Sequence, residues 1–234
     1  PGYLVSKIFP NVWSSLDTAF PKGVILVSGT NGKTTSVKLL THILTESGFS
    51  VITNASGANL AHGILTSILL SVNCKGRISS DFGVFEVDEL NLPLLLEKLP
   101  PDFLILTNLS RDQLDRYGEI EIILHSWKES ILKLDRTILL VPQGFASQDL
   151  TDFSDITNSY KGRILEYSDS FDYLAFTHLL GRFNALNVNS CVLACRELGL
   201  SESQLKSALS SFSPAFGRGE SILAFGKEFL VFLA

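Results

Sequence analysis

The chain has 234 residues, 45% of them hydrophobic, and a formal net charge of −5 at pH 7. This length can bury a sizeable core, and the acidic balance gives no electrostatic reason to expect nucleic acid, whose binders carry basic patches. Charge or glycine interrupts the apolar runs well short of a bilayer span, no signal peptide is visible, and the three cysteines lack CxxC spacing. We therefore expect a cytoplasmic protein that is not transmembrane.

The first segment, residues 1–21, is predicted to be a lead-in that packs on the core. Its apolar residues recur at the spacing of one helical face: Val12, Trp13, Leu16 and Phe20. The chain begins at Pro1, contains no methionine and stops inside an apolar run at Ala234. We expect it to be a piece of a longer protein.

The strongest motif lies at residues 29–35, between an apolar β-branched run that predicts a buried strand and a segment with apolar residues at helical spacing. Free backbone N–H groups at a helix start, with the helix dipole behind them, form a cradle for polyphosphate. We therefore predict a phosphate loop. Its residues are Gly29, Thr30, Asn31, Gly32, Lys33, Thr34 and Thr35.

Each residue type in this loop suits nucleotide binding. The two glycines let the backbone bend and approach a phosphate, Lys33 would pair with the β- and γ-phosphates, and the Thr34 hydroxyl would hold Mg²⁺. The spacing departs from a full Walker A motif, because Val27 stands where the first glycine belongs. The alternative is a glycine turn into a helix, without a ligand.

Strands and helices then alternate along the chain, which predicts an α/β fold with a doubly wound, mostly parallel sheet. The predicted strands are 51–53, 82–87, 103–107 and 137–141, and the predicted helices are 60–70, 92–99 and 119–132. In such sheets ligands lie beyond the carboxyl ends of the strands. The phosphate loop, Glu86 and residues 108–115 all fall at that edge.

The pattern weakens over residues 142–176, where short candidate strands at 163–167 and 173–176 predict a small antiparallel edge. Two helices follow, at 184–198 and from 201 to about 212. Ser201 is predicted to cap the second, with Gln204 in the capping-box position. A loop at 214–220 leads into a final apolar strand.

Several polar residues are candidates for the rest of a nucleotide site. Glu86 is the favoured metal ligand because it lies on a strand, whereas Asp88 and Glu89 fit a solvated acidic loop better. Asn184 and Asn187 lie on one helical face, where they could offer amides to a purine edge or serve as a cap and a core hydrogen bond. Arg218, between two glycines, is a weak candidate for a phosphate contact.

Together these segments resemble the central ATP-binding domain of the Mur ligase family, whose own phosphate-loop form matches residues 29–35 and accounts for Val27. Within the family, the chain looks most like the MurT group, the ligase-like subunits of lipid II isoglutaminyl synthase. That narrower resemblance rests on residues 54–60, 85–89, 107–119 and 214–220. It implies a central domain over residues 22–234, with 142–176 as a variable insert and the C-terminal ligase domain absent.

The resemblance also implies roles for single residues. Lys33 and Thr34 would handle phosphates and Mg²⁺, and Glu86 the metal, which makes Lys33 and Glu86 the expected catalytic residues. Asn108 and Asn187 would contact the adenine, and Arg218 the ribose or the phosphates. Asn184 matches the family's helix-opening asparagine.

The activity implied is that of an ATP-dependent carbon–nitrogen ligase with ATP and Mg²⁺ as cofactors. It would activate the D-glutamate α-carboxyl of a lipid-linked peptidoglycan precursor, lipid II, as an acyl phosphate. Ammonia would come from a partner glutamine amidotransferase resembling GatD. Without the C-terminal domain, the chain alone should bind nucleotide better than it turns over.

Two departures from the family pattern affect metals. Gln113 stands where most Mur ligases have a metal-binding histidine, and residues 142–176 hold no cysteine for the zinc ribbon typical of MurT proteins, so no zinc is predicted. Two alternatives stay open. One is a Mur-type or folylpolyglutamate-type ligase that adds an amino acid, and the other is a nucleotide-binding module without catalysis.

Overall fold

The computed structural model of the protein describes residues 1–16, 19–54, 57–109, 117–143, 151–213, 218–224 and 227–232. Side chains are described throughout these ranges except at 117–119, 218–224 and 227–232. No helix in the described part of the chain is both long and apolar enough to cross a bilayer.

The central feature is a six-stranded sheet in the order β2-β3-β1-β4-β5-β6, in which every pairing is parallel. Its strands are β1 Gly23–Ser28, β2 Val51–Thr53, β3 Phe82–Val87, β4 Phe103–Leu106, β5 Ile138–Pro142 and β6 Ile164–Tyr167. The predicted α/β class with a mostly parallel, doubly wound sheet is confirmed. A separate antiparallel hairpin is formed by β7 Arg218–Ala224 and β8 Lys227–Phe232.

Helices cover both faces of the sheet. They are α1 Gly2–Ile8, α2 Lys33–Glu46, α3 Ala61–Leu70, α4 Leu92–Lys98, α5 Tyr117–Ile131, α6 Ser154–Thr157, α7 Arg182–Glu197 and α8 Glu202–Ser211. Short 3₁₀ helices lie at Pro10–Val12, Ser14–Leu16 and Leu174–Phe176.

The two faces carry separate cores because side chains alternate along each strand. In β1, Ile25 and Val27 pack with α2, α7 and α8, whereas Val24 and Leu26 pack with α3, α4, α5 and the lead-in. The inner strands are buried along their whole length, as expected of a parallel sheet covered on both sides.

Two details differ from the sequence prediction. The lead-in is α1 followed by two short 3₁₀ helices instead of one amphipathic helix, although Trp13, Leu16 and Phe20 are buried as expected. The antiparallel edge predicted within 163–176 was wrong. The chain crosses over through α6 before β6, which enables parallel pairing with β5, and Leu174–Phe176 is a 3₁₀ helix.

The topology determines where a ligand can bind. Strands β3, β1 and β4 are neighbours, with Val87 paired to Ser28 and Ser28 to Leu106 in register. Their carboxyl ends therefore meet at one point, between β1 and the start of α2. The chain segments that follow these three strands form the candidate site.

Candidate nucleotide-phosphate site

The loop between β1 and α2 needs glycine at two positions. Gly29 has φ +135° and Gly32 has φ +90°, a region that side chains with a Cβ rarely adopt. A Cβ at Gly29 would also lie 2.2 Å from the Thr107 hydroxyl, and one at Gly32 would lie 2.2 Å from the Asn187 side-chain oxygen. Helix α2 begins at Lys33, so the helix opens inside the loop.

The segment that follows strand β4 supports the loop from one side through Asn108. The backbone oxygen of Asn108 accepts a hydrogen bond from Thr30 N–H at 2.5 Å, and its side-chain Oδ1 accepts one from Asn31 N–H at 3.0 Å. Thr107, the residue before Asn108, donates its N–H to Ser28 O at 2.9 Å. Asn108 is therefore a brace of the loop, and its contact with adenine stays a prediction.

Lys33 is held by three acceptors. Its Nζ donates to Gly29 O, to Thr30 O at 3.1 Å and to Glu89 Oε1 at 2.9 Å. The Lys33 and Glu89 side chains are only 11% and 18% exposed. The prediction that Glu89 belongs to a solvated acidic loop was therefore wrong. The turn after β3 folds it back toward the loop, where Trp127 Nε1–H donates to its backbone oxygen at 2.8 Å.

Thr34 and Glu86 form the second polar pair of the site. The Thr34 hydroxyl donates to Glu86 Oε2 at 2.7 Å, and Glu86 is 8% exposed. Asn54, at the end of β2, accepts from Glu86 N–H at 2.9 Å and donates to Glu86 O at 2.8 Å and Ala58 O at 3.0 Å. The structure thus brings together the two predicted metal ligands and shows that Asn54 fixes the strand bearing one of them.

The asparagines of α7 lie on the other side of the loop. Asn187 is buried against Gly32, and its Nδ2 lies 3.4 Å from Asn184 Oδ1. Asn184 in turn donates to Leu180 O at 2.8 Å. Both are near the loop, and their role toward adenine stays a prediction.

The remaining predicted residues differ in how much of them the structure describes. Thr35 is buried in the first turn of α2. Arg218 begins β7, where only the backbone is described. Gln113 lies in the segment 110–116, outside the described residues, as do 144–150 of the insert and 214–217 of the last loop.

A cavity of about 450 Å³ opens beside the Thr34–Glu86 pair. Its lining includes Lys38 of α2 and Phe212, which follows α8. Asn54 lines the same cavity. The pair therefore borders a space that a ligand can enter.

The groups present fit a magnesium nucleotide. A hydroxyl and a carboxylate are the hard oxygen donors that Mg²⁺ prefers, and such a site usually completes its shell with water and phosphate oxygens. No group of three or more His, Cys, Asp or Glu side chains comes together among the residues that the structure describes. When bound, the metal would supply charge neutralisation between the phosphates.

Groups beneath the site are structural. Burial raises the pKa of the Cys191 thiol to about 12, and its Sγ–H donates to Ser36 O of α2 at 3.4 Å. Burial also raises the pKa of Tyr167, whose hydroxyl donates to Leu106 O at 2.7 Å. Both stay neutral at physiological pH and attach α7 and β6 to the elements that carry the loop.

Residues 27–195 match the Mur ligase middle domain family. Among curated proteins, the chain is 26% identical to the lipid II isoglutaminyl synthase (glutamine-hydrolyzing) subunit MurT of Staphylococcus aureus strain N315, over 100% of this chain and 66% of that protein. It is 33% identical to the MurT subunit of Streptococcus pneumoniae strain R6, over 60% of this chain and 31% of that protein. The chain thus spans less than two thirds of these relatives.

Solved structures give the same fold. The MurF ligase of Thermotoga maritima in complex with ADP aligns with a TM-score of 0.73 at 19% identity, over 98% of this chain and 56% of that one. A bifunctional folylpolyglutamate synthase/dihydrofolate synthase of Yersinia pestis, complexed with AMPPNP and Mn ion, aligns with a TM-score of 0.67 at 16% identity. That match covers 100% of this chain and 66% of the other. The family resemblance read from the sequence is confirmed, and the chain belongs to the Mur ligase middle domain family.

Proposed function

We propose that this chain is the ATP-binding domain of an ATP-dependent amide ligase of peptidoglycan synthesis. The observation that carries the proposal is the Thr34–Glu86 pair at 2.7 Å, placed where the glycine loop opens helix α2. A hydroxyl and a carboxylate facing each other beside a phosphate loop and its lysine suit a magnesium nucleotide. The solved relatives named with ADP and AMPPNP support the same reading.

The proposed chemistry has two steps. A carboxylate oxygen of the acceptor attacks the γ-phosphorus of ATP, ADP leaves, and an acyl phosphate forms. Ammonia then attacks the acyl carbon, inorganic phosphate leaves, and the nitrogen loses a proton to give the amide. Phosphoryl transfer of this kind depends mainly on positioning and charge neutralisation. Lys33 would neutralise phosphate charge, and Glu86 and Thr34 would hold the metal.

We further propose that the acceptor is the D-glutamate α-carboxyl of lipid II and that a GatD-like glutaminase supplies the ammonia. Support comes from the MurT relatives, whose name describes a subunit of a glutamine-hydrolyzing lipid II isoglutaminyl synthase. In this proposal residues 22–234 form the central domain and residues 142–176 its variable insert. The reaction belongs in the cytoplasm, where ATP is available.

A second candidate is a ligase that adds an amino acid instead of ammonia. It is favoured by the 29% identity to the UDP-N-acetylmuramoylalanine--D-glutamate ligase of Lawsonia intracellularis, over 85% of this chain and 42% of that protein. The two candidates share the first step and differ in the nucleophile. The site residues described above serve both equally.

The test is an activity assay on the full-length protein. With lipid II, ATP, Mg²⁺ and a co-expressed glutaminase, we expect glutamine-dependent conversion of the glutamate α-carboxyl to the amide, read by mass spectrometry as a loss of about 1 Da. Addition of an amino-acid mass would support the second candidate. If neither modification is detected with ATP and an intact glutaminase present, the proposal is contradicted.

A further inference from the structure

We infer that Glu89 is the resting counter-ion of the phosphate-loop lysine and that nucleotide binding displaces it. Glu89 would thus be a positioning residue that acts through Lys33 and sets the affinity of the loop for nucleotide. This inference rests on the proposed function, because it assumes that a nucleotide occupies the loop. It adds a residue from the turn after β3 to the predicted site.

The hydrogen-bond capacity of Lys33 is fully used. A lysine ammonium has three N–H donors, and Nζ donates to Gly29 O, Thr30 O and Glu89 Oε1. The Gly29 and Thr30 carbonyls belong to the same loop as Lys33, so they remain next to its ammonium group if the loop moves. A phosphate oxygen that binds Lys33 therefore has to replace the Glu89 carboxylate.

Glu89 is fixed from behind by the core. Trp127 Nε1–H donates to its backbone oxygen at 2.8 Å, and the Trp127 side chain is completely buried and stacked on Phe153 with an interplanar angle of 4°. On the other side of Glu89, Asp88 N–H donates to Asn59 O at 3.0 Å. The backbone that carries the carboxylate is thus held on both sides. An ion pair with little conformational freedom and little solvent is stronger than an exposed surface pair.

The charge balance of the site leads to the same conclusion. A nucleotide polyphosphate brings several negative charges to the loop, and Glu89 opposes their approach in two ways. It occupies Lys33, and it repels phosphate from the place next to the lysine. Neutralising Glu89 therefore favours the bound state, whereas a purely structural partner of Lys33 would weaken binding when removed.

The experiment is calorimetric titration of the full-length protein with Mg²⁺–AMPPNP, comparing wild type, Glu89→Gln, Glu89→Asp and Asp88→Asn. Glu89→Gln is expected to bind about three- to fivefold tighter, which corresponds to the upper part of the range measured for a single charge pair. Glu89→Asp keeps the charge but shortens the side chain, so it should bind tighter than wild type and more weakly than Glu89→Gln. Thermal melting of each variant confirms that it folds.

Asp88→Asn is the matched control. It removes the same charge one residue away, and the asparagine oxygen can still accept the Leu90 N–H bond that Asp88 Oδ1 accepts at 3.1 Å. Its affinity should stay within about twofold of wild type. Equal tightening in Asp88→Asn and Glu89→Gln, or unchanged or weaker binding by Glu89→Gln, would overturn the role of Glu89. Absence of binding by wild type would instead overturn the nucleotide site itself.

Discussion

At the scale of single residues, the candidate site consists of side-chain pairs that satisfy one another. Lys33 is matched by Glu89 and Thr34 by Glu86. A bound nucleotide with its metal would take over these partners. Glu89 balances the charge of Lys33, and the Thr34 hydroxyl gives the Glu86 carboxylate a hydrogen-bond donor. Such compensation matters because an unpaired charge at this depth is costly.

The sequence predicted three of the four members of these pairs and missed Glu89. The loop spacing identified Lys33 and Thr34 from local pattern, and the strand position identified Glu86. Glu89 and Asn54 were not predicted as partners, because their contacts depend on how the turns after β3 and β2 fold back. Turn geometry of this kind is set by distant packing, such as that of Trp127, and leaves no local signal.

Gly32 provides the first residue-scale prediction. Gly32→Ala places a Cβ 2.2 Å from Asn187 Oδ1 at φ +90°, so we expect loss of nucleotide binding and of about 1–3 kcal/mol of stability. Gly48→Ala is the matched control, since Gly48 has φ +88° with nothing within 4 Å. It should lose about 1–2 kcal/mol and keep its affinity. Nucleotide titration and chemical denaturation measure both. Normal nucleotide binding by Gly32→Ala would contradict the loop conformation described at Gly32.

At the scale of elements, the start of α8 follows from the local sequence. The predicted capping box of α8 is confirmed, with Ser201 Oγ accepting from Gln204 N–H and Gln204 Oε1 accepting from Ser201 N–H. The pairing direction of β6 was not predictable, because it depends on the path of the crossover before it. The spacing of residues in the sequence predicts local hydrogen bonds such as those of the cap. It does not predict the direction in which distant strands pair.

The cap of α8 leads to a stability prediction. Ser201→Ala removes the acceptor for Gln204 N–H, so the free energy of unfolding should fall by about 1 kcal/mol. Ser210→Ala, an exposed position inside the same helix whose hydroxyl bonds only to Lys206 O among the described residues, should change it by less than about 0.5 kcal/mol. Urea denaturation compares them. Equal effects would show that the box does not stabilise the helix.

The start of β3 leads to a prediction about pH. Asp81 accepts hydrogen bonds from Ser50 N–H at 2.9 Å and Ser50 Oγ–H at 2.7 Å, and these bonds, the backbone one first, lower the pKa of Asp81 below its ordinary 3.8. Because the pKa of Asp81 is lower in the folded state than in the unfolded state, its ionised carboxylate stabilises the folded protein above the unfolded-state pKa. This stabilisation is lost as the pH falls through the folded-state pKa. The stability difference between wild type and Asp81→Asn should therefore be constant above about pH 5 and shrink below about pH 4. A difference that grows in acid would contradict this.

At the scale of the whole molecule, the parallel sheet with its two cores explains how the elements of the candidate site come together. The inner strands are apolar along their length, so both faces of the sheet are buried, and the order β3-β1-β4 brings three strand ends to the loop. The sequence predicted this class correctly, because alternating strands and helices leave few other solutions.

Cysteine labelling tests this packing. Cys191 and Cys195 are buried between α7 and its neighbours and their pKa values are raised by burial, whereas Cys74 is exposed. At pH 8, iodoacetamide should modify Cys74 alone in the folded protein and all three cysteines in guanidinium chloride, as read by mass spectrometry. Rapid modification of Cys191 without denaturant would contradict the buried position of α7.

The central claim is that the loop at residues 29–35 and Glu86 form a magnesium-nucleotide site. The most direct measurement is calorimetric titration of AMPPNP, with and without Mg²⁺, into wild type, Lys33→Ala and Glu86→Gln. We expect Mg²⁺-dependent binding by wild type, at least about tenfold weaker binding by Lys33→Ala, and a loss of the Mg²⁺ dependence in Glu86→Gln. Absence of binding by both the chain and the full-length protein, or equal binding by all three variants, would contradict the claim.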